Sequence, residues 1–205
     1  MKALAEKMPD GLPAGFPDGL FEHTHVIPVP VSGIEPCSES KNKSDVKSGK
    51  PIEIVWNHRW EHDKQPQVFF AALEKLIARR IDCKVHVMGQ SFREVPDCFE
   101  TFQSRFGSYI ETWGYQPADN YGQILHKAHF VVSSALHDFQ GLGIQEAISA
   151  GCMPVVPDRM AYPEYIPEEL RYRVTAAGTD LMVICLLYTS PSPRDATLSR
   201  MPSSA

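Results

Sequence analysis

The chain has 205 residues, 43% hydrophobic and 22% charged, enough apolar material for one buried core and far from the composition of a disordered chain. Its formal net charge of −5 supplies none of the sequence-wide Lys/Arg excess on which nucleic-acid capture draws. No apolar run approaches the ~20 residues that span a bilayer, and no signal-peptide pattern opens the chain, which leaves a cytoplasmic protein without membrane attachment, the nucleus being the alternative compartment.

Residues 1–35 are rich in Pro and Gly and hold one strand-like run, His25-Val26-Ile27-Pro28-Val29-Pro30-Val31, which its prolines demote to an edge or connecting strand. Residues 36–50 are polar, Ser/Lys-rich and aperiodic, the pattern of a solvated linker. Order begins at Ile52. Ile54-Val55-Trp56 reads as a strand entering a loop with Arg59 and Lys64, and Pro66 suits the first turn of a helix striped by Phe69, Ala72, Leu73, Leu76 and Ile77. A strand over Lys84–Gly89 follows, then a helix over Cys98–Phe106 and a strand over Tyr109–Trp113. Tyr121–Ala128 reads as helix, His129–Ser133 as strand, Leu142–Ala150 as helix and Met153–Val156 as strand. Repeated β-α units imply an α/β fold: a Rossmann-like, mostly parallel sheet with helices on both faces. No G-x-G-x-x-G follows the first strand, which argues against a dinucleotide-dependent dehydrogenase.

Periodicity ends near Ile184. Residues 185–205, including Leu186-Leu187-Tyr188-Thr189-Ser190-Pro191-Ser192-Pro193-Arg194, are dense in Ser, Pro and Arg and read as a disordered, non-native, adapter-like tail; the alternative is an ordinary disordered tail. The five cysteines (Cys37, Cys83, Cys98, Cys152, Cys185) are odd in number and lack a C-x-x-C pair, so idle thiols in a reducing compartment are favoured over a metal or disulfide role.

The chemistry concentrates in His137-Asp138-Phe139-Gln140-Gly141-Leu142-Gly143-Ile144-Gln145-Glu146-Ala147. One carboxylate precedes a glycine-bearing turn, and a second follows eight residues later inside a helix. With the apolar runs on either side this is strand, loop, helix, strand, and open parallel sheets bind ligands at that carboxyl end. A helix N-terminus opened by glycine suits a phosphate, Asp138 could reach hydroxyls beside it, and Glu146 could hold a ribose diol. Phosphate flanked by diols describes a nucleotide sugar.

This segment resembles the E-x7-E region of retaining GT-B glycosyltransferases of family 4, written E-x-F-G-x4-E-A-x3-G-x-P-V. Gly141, Glu146, Ala147, Gly151, Pro154 and Val155 fit that pattern; Asp138 stands for the first Glu, one methylene shorter, and Gln140 stands where Phe is usual. A second segment, Trp56-Asn57-His58-Arg59-Trp60-Glu61-His62-Asp63-Lys64-Gln65-Pro66, resembles the W-N-H-R-W-E-x-D-K-x-P of the tRNA-queuosine mannosyltransferase branch and its glycosyltransferase-like-domain-1 relatives. The two motifs lie in the family's order, about 75 residues apart, and the resemblance covers residues 52–181. It implies that residues 51–184 are the nucleotide-sugar donor-binding half of a GT-B fold and that residues 1–35 are a remnant of the N-terminal acceptor domain.

The resemblance further implies retaining transfer of mannose from GDP-mannose to queuosine in tRNA. The tRNA would be met through the missing N-terminal domain, by a monomer needing no metal or other cofactor. It assigns Arg59 and Lys64 to the leaving diphosphate, Asp138 to sugar hydroxyls and Glu146 to the ribose. Gly114 and Tyr115 would flank the base, with His137, Phe139, Gly141 and Leu142 lining the donor. Each assignment has a rival. Arg59 and Lys64 could form a salt-bridged turn with Glu61 and Asp63, Asp138 could cap the helix, and Gly114 could be a plain turn glycine. His58 and His62 have metal-like spacing, though in a loop, and Trp56, Trp60 and Trp113 read as core rather than as a base-stacking platform. A donor-binding fragment without catalysis, a family 4 glycosyltransferase using another donor and acceptor, a sugar phosphorylase and a nucleotide-sugar epimerase are the competing functions.

Overall fold

In the computed structural model, residues 25, 27–31, 34, 51–91 and 94–173 are described. The expected linker 36–50, the expected tail 185–205, Cys37 and Cys185 lie outside them, as does most of residues 1–35. The chain divides into two units, Met1–Pro30 and Val31–Ala205. In the first, His25 and residues 27–30 are exposed and none of them belongs to a strand. Pro28 and Pro30 lack the N–H groups a ladder needs, which is why the expected edge strand does not form at these residues.

The second unit is a six-stranded parallel sheet in the order β3-β2-β1-β4-β5-β6. The strands are β1 (Ile52–Asn57), β2 (Cys83–Met88), β3 (Ile110–Gly114), β4 (Phe130–Val132), β5 (Met153–Pro157) and β6 (Arg171–Tyr172). They alternate with α1 (Pro66–Ala78), α2 (Cys98–Phe106), α3 (Ala118–Lys127), α4 (Leu142–Ser149) and α5 (Tyr162–Tyr165). Strands β1 and β2 pair in register from Ile52↔Cys83 to Asn57↔Met88, so their carboxyl ends finish level. β4 leaves β1 on its other side, through Ile54↔Phe130 and Val55↔Val131. The order therefore reverses between β1 and β4, and loops leaving two such strands diverge and open a crevice. Among the described residues no helix is long and apolar enough to cross a membrane.

Alternation along β1 sends neighbouring side chains to opposite faces. Trp56 is fully buried against Phe69 of α1 and Phe99 of α2 at ring-centroid separations of 5.9 and 5.8 Å. Phe70, Phe102, Trp60 and Trp113 complete this cluster, Phe70 stacking on Phe102 at 4.4 Å and Trp60 on Phe99 at 4.3 Å. The tryptophans are thus core, as their positions suggested. Asn57, the next residue, turns to α3 and α4 on the other face, so helices cover both sides. Cys83 and Cys152 are buried free thiols, and burial pushes the Cys83 thiol up to about 11.

The strand-helix order matches the periodicity, with shifts at the ends. β1 runs on to Asn57, α3 begins at Ala118, and Gly107–Tyr109 forms a 3-10 turn ahead of β3. Two elements have no counterpart in the sequence pattern, the four-residue α5 and the two-residue β6. Both span about a single period, too little for an apolar residue to recur within them.

Candidate active site

Every strand of a parallel sheet ends on one edge, and that edge collects the candidate residues. Leaving β1, His58 is buried, Arg59 is exposed and ion-paired to Glu61 at 3.1 Å, and a 3-10 turn over His62–Lys64 follows. Gly89, just past β2, has φ +148°, and a Cβ there would run into the His58 carbonyl oxygen, so the close approach of the β1 and β2 ends requires glycine.

Lys64 is 7% exposed, unusual for a lysine and tolerable only with partners. Its Nζ donates to the His137 carbonyl at 2.5 Å and pairs with Asp63 Oδ2 at 3.2 Å. Two further bonds stitch the same loops: Ser134 Oγ donates to the Lys64 carbonyl at 2.7 Å, and the Leu136 N–H to the Asp63 carbonyl at 2.7 Å. The cation-bearing loop after β1 and the acidic loop after β4 are therefore one structure. The His137 carbonyl and Asp63 Oδ2 account for two of the three ammonium protons of Lys64.

Asp138 closes the turn into α4. Its Oδ1 accepts the Gly141 N–H at 3.1 Å and its Oδ2 the Tyr162 hydroxyl at 2.9 Å. The residue capping α4 is Gly141, at φ 72°, so Asp138 shapes the loop from three residues upstream instead of serving as the N-cap itself. Tyr162 is buried, and Ser133 Oγ lies 2.7 Å from its hydroxyl. Burial first and the Asp138 charge next raise the Tyr162 hydroxyl pKa far above its ordinary value, so it remains a donor. Tyr165 donates to the Gln140 carbonyl at 3.0 Å and packs where a Cβ on Gly141 would lie, 2.5 Å away.

At the start of α4 the Leu142 and Gly143 N–H groups have no partner among the described residues, and no acidic side chain occupies the first turn. Such an end favours an anion. Farther along, Glu146 is half-buried and accepts the Tyr121 hydroxyl on Oε2 at 2.8 Å. Asn57 Nδ2 donates both to Tyr121 Oη at 2.9 Å and to the Gly143 carbonyl at 2.8 Å.

Hydrogen bonds thus bring Lys64, His137, Asp138, Gly141 and Glu146 into neighbouring networks. Arg59, Tyr115 and Phe139 stand exposed at the same edge, Phe139 almost fully, and Gly114 (φ 85°) accepts the Gly89 N–H on its carbonyl. Both salt-bridged pairs of the rival reading form, Arg59 with Glu61 and Lys64 with Asp63, yet Lys64 is buried at the loop junction rather than set in a solvated turn. No cluster of three metal-type ligands occurs among the described residues, and burial lowers the His58 pKa to about 4. Asn57, Tyr121, Tyr162 and Tyr165 join the site without having been singled out. Asn57 had two usable signals, its place in the W-N-H-R motif and its polarity at the end of an apolar strand.

Comparison with known proteins defines the class. A pneumococcal O-GlcNAc transferase, solved in complex with UDP and GlcNAc, superposes with a TM-score of 0.68 at 13% identity over 97% of this chain and 39% of its own. The C-terminal domain of a glycosyl transferase group 1 family protein from Francisella tularensis gives a TM-score of 0.62 at 16% identity, over 84% of this chain and 93% of that domain. The fold is that of the Rossmann-like half of GT-B glycosyltransferases. The signature described as Glycosyl transferases group 1 matches residues 52–183, and the chain belongs to that family. It is 36% identical over 143 residues to the tRNA-queuosine alpha-mannosyltransferase of Drosophila melanogaster, covering 70% of this chain and 38% of that protein. The chain thus spans well under half the length of that relative.

Proposed function

We propose that this chain is the donor-binding half of a retaining glycosyltransferase that transfers mannose from GDP-mannose to queuosine in tRNA. The observation that carries the reading is the 36% identity over 143 residues to the fly tRNA-queuosine alpha-mannosyltransferase. The geometry is compatible with it: a buried lysine bonded to the loop that leads into an open helix N-terminus, and a glutamate one turn farther along that helix. In this reading the diphosphate lies at the Leu142 and Gly143 N–H groups, with Lys64 and Arg59 stabilising the charge that develops as it leaves. Glu146 holds the ribose hydroxyls. Asp138, both of whose oxygens are engaged, acts chiefly by fixing the loop that meets the sugar. No side chain of this half acts as a base, the acceptor enters from the same face, and no metal or organic cofactor is called for.

Titration of the chain with GDP-mannose, UDP-glucose and NAD tests the reading. Saturable binding strongest for GDP-mannose is expected. Preference for UDP-glucose would point to another donor within the family, and preference for NAD to an epimerase-like enzyme.

A further inference from the structure

We propose that Tyr121 is a positioning residue for the donor site: it fixes the Glu146 carboxylate by Oε2 so that Oε1 is the oxygen offered to a vicinal diol of the ligand. The inference rests on the reading of Glu146 as the diol-binding group and adds how that group is aimed. An amide nitrogen can only donate, so the bond from Asn57 Nδ2 occupies a lone pair of the Tyr121 oxygen. The single hydroxyl proton is thereby left for Glu146 Oε2, which lies 2.8 Å away. The orientation of the Asn57 amide is set in turn by the Gly143 carbonyl, an acceptor 2.8 Å from the same nitrogen.

The relay is anchored at its far end. Asn57 is the last residue of β1, and a Cβ on Gly143 would come within 3.0 Å of its amide nitrogen, so the first turn of α4 must be bare there for the contact to form. Tyr121 packs its ring against the hydrophobic core, while burial first and Glu146 next raise its hydroxyl pKa, which keeps the proton in place. Among the described residues Tyr121 is the sole hydrogen-bond partner of the Glu146 carboxylate. A glutamate side chain has several rotatable bonds to immobilise on binding, and one held in advance loses less freedom when it meets a ligand.

The test is calorimetry with GDP and with 2′,3′-dideoxy-GDP on the wild-type chain, Tyr121→Phe, Glu146→Gln and the double variant. Tyr121→Phe keeps the ring in the core, and its melting temperature checks that the fold is retained. The expected result is a roughly fivefold loss of GDP affinity in Tyr121→Phe, with little change for the dideoxy ligand. Adding Tyr121→Phe to Glu146→Gln should cost no further GDP affinity. Equal loss for both ligands in Tyr121→Phe, or no loss for either, overturns the proposal while Glu146→Gln still discriminates between them. If Glu146→Gln does not discriminate, the diol reading fails and takes this inference with it.

Discussion

His58 sits buried among charges, with no hydrogen-bond partner for its Nε2. Burial lowers its pKa from 6.5 to about 4; Asp138 and Asp63 pull it upward and Lys64 downward. A histidine whose folded pKa lies below its unfolded value is neutral in the native state and must charge as the fold is lost. Its contribution is therefore fully present above about pH 6.5 and is lost as pH falls toward 4. The size is on the order of 3 kcal/mol. Urea melts between pH 7.5 and 4.5 should show wild-type stability falling more steeply than that of His58→Asn; parallel curves would remove His58 from the acid response. At this scale Arg59, Lys64, Asp138 and Glu146 were legible because short motifs carry them. Tyr121 and Tyr162 were not, since their carboxylate partners lie 25 and 24 residues away and a tyrosine on a helix looks like any amphipathic residue.

The elements that build the sheet were readable because each buries an apolar stripe long enough to repeat. α5 was not, and its importance lies in what it holds. Tyr162 ties α5 to the last residues of the β4 edge through Ser133 and to the approach of α4 through Asp138. Tyr162→Phe would leave an Asp138 oxygen and the Ser133 hydroxyl each short of a partner in a buried setting, at a cost of about 1–3 kcal/mol. The denaturant midpoint should fall with an unchanged m-value. Donor affinity should drop as well, because the turn presenting the Leu142 and Gly143 N–H groups loses one of the two bonds made by Asp138. A destabilised variant with wild-type donor affinity would show that the turn keeps its shape without α5.

At the scale of the molecule, the parallel sheet delivers every loop of interest to one edge, which is why a motif after β1 and another after β4 meet although about 75 residues separate them. The pattern of alternating elements made that edge foreseeable; the hydrogen bonds locking its two loops together were not, because they depend on register. The chain covers 38% of the fly relative's length, and in the proposed reading transfer takes place in a cleft that a second half closes over the donor. Assayed beside a full-length relative, it should bind donor yet transfer no mannose to queuosine-containing tRNA; turnover near the relative's rate would show that no second half is needed. The donor edge itself faces its most direct test in a calorimetric titration of GDP-mannose into the wild-type chain and into the Arg59→Ala/Lys64→Ala double variant. Each charge-assisted contact is worth ~1.5–3 kcal/mol, so saturable wild-type binding should weaken by two orders of magnitude or more in the double variant. Equal affinity in the two proteins, or no saturable binding by the wild type, would contradict a donor site at this edge.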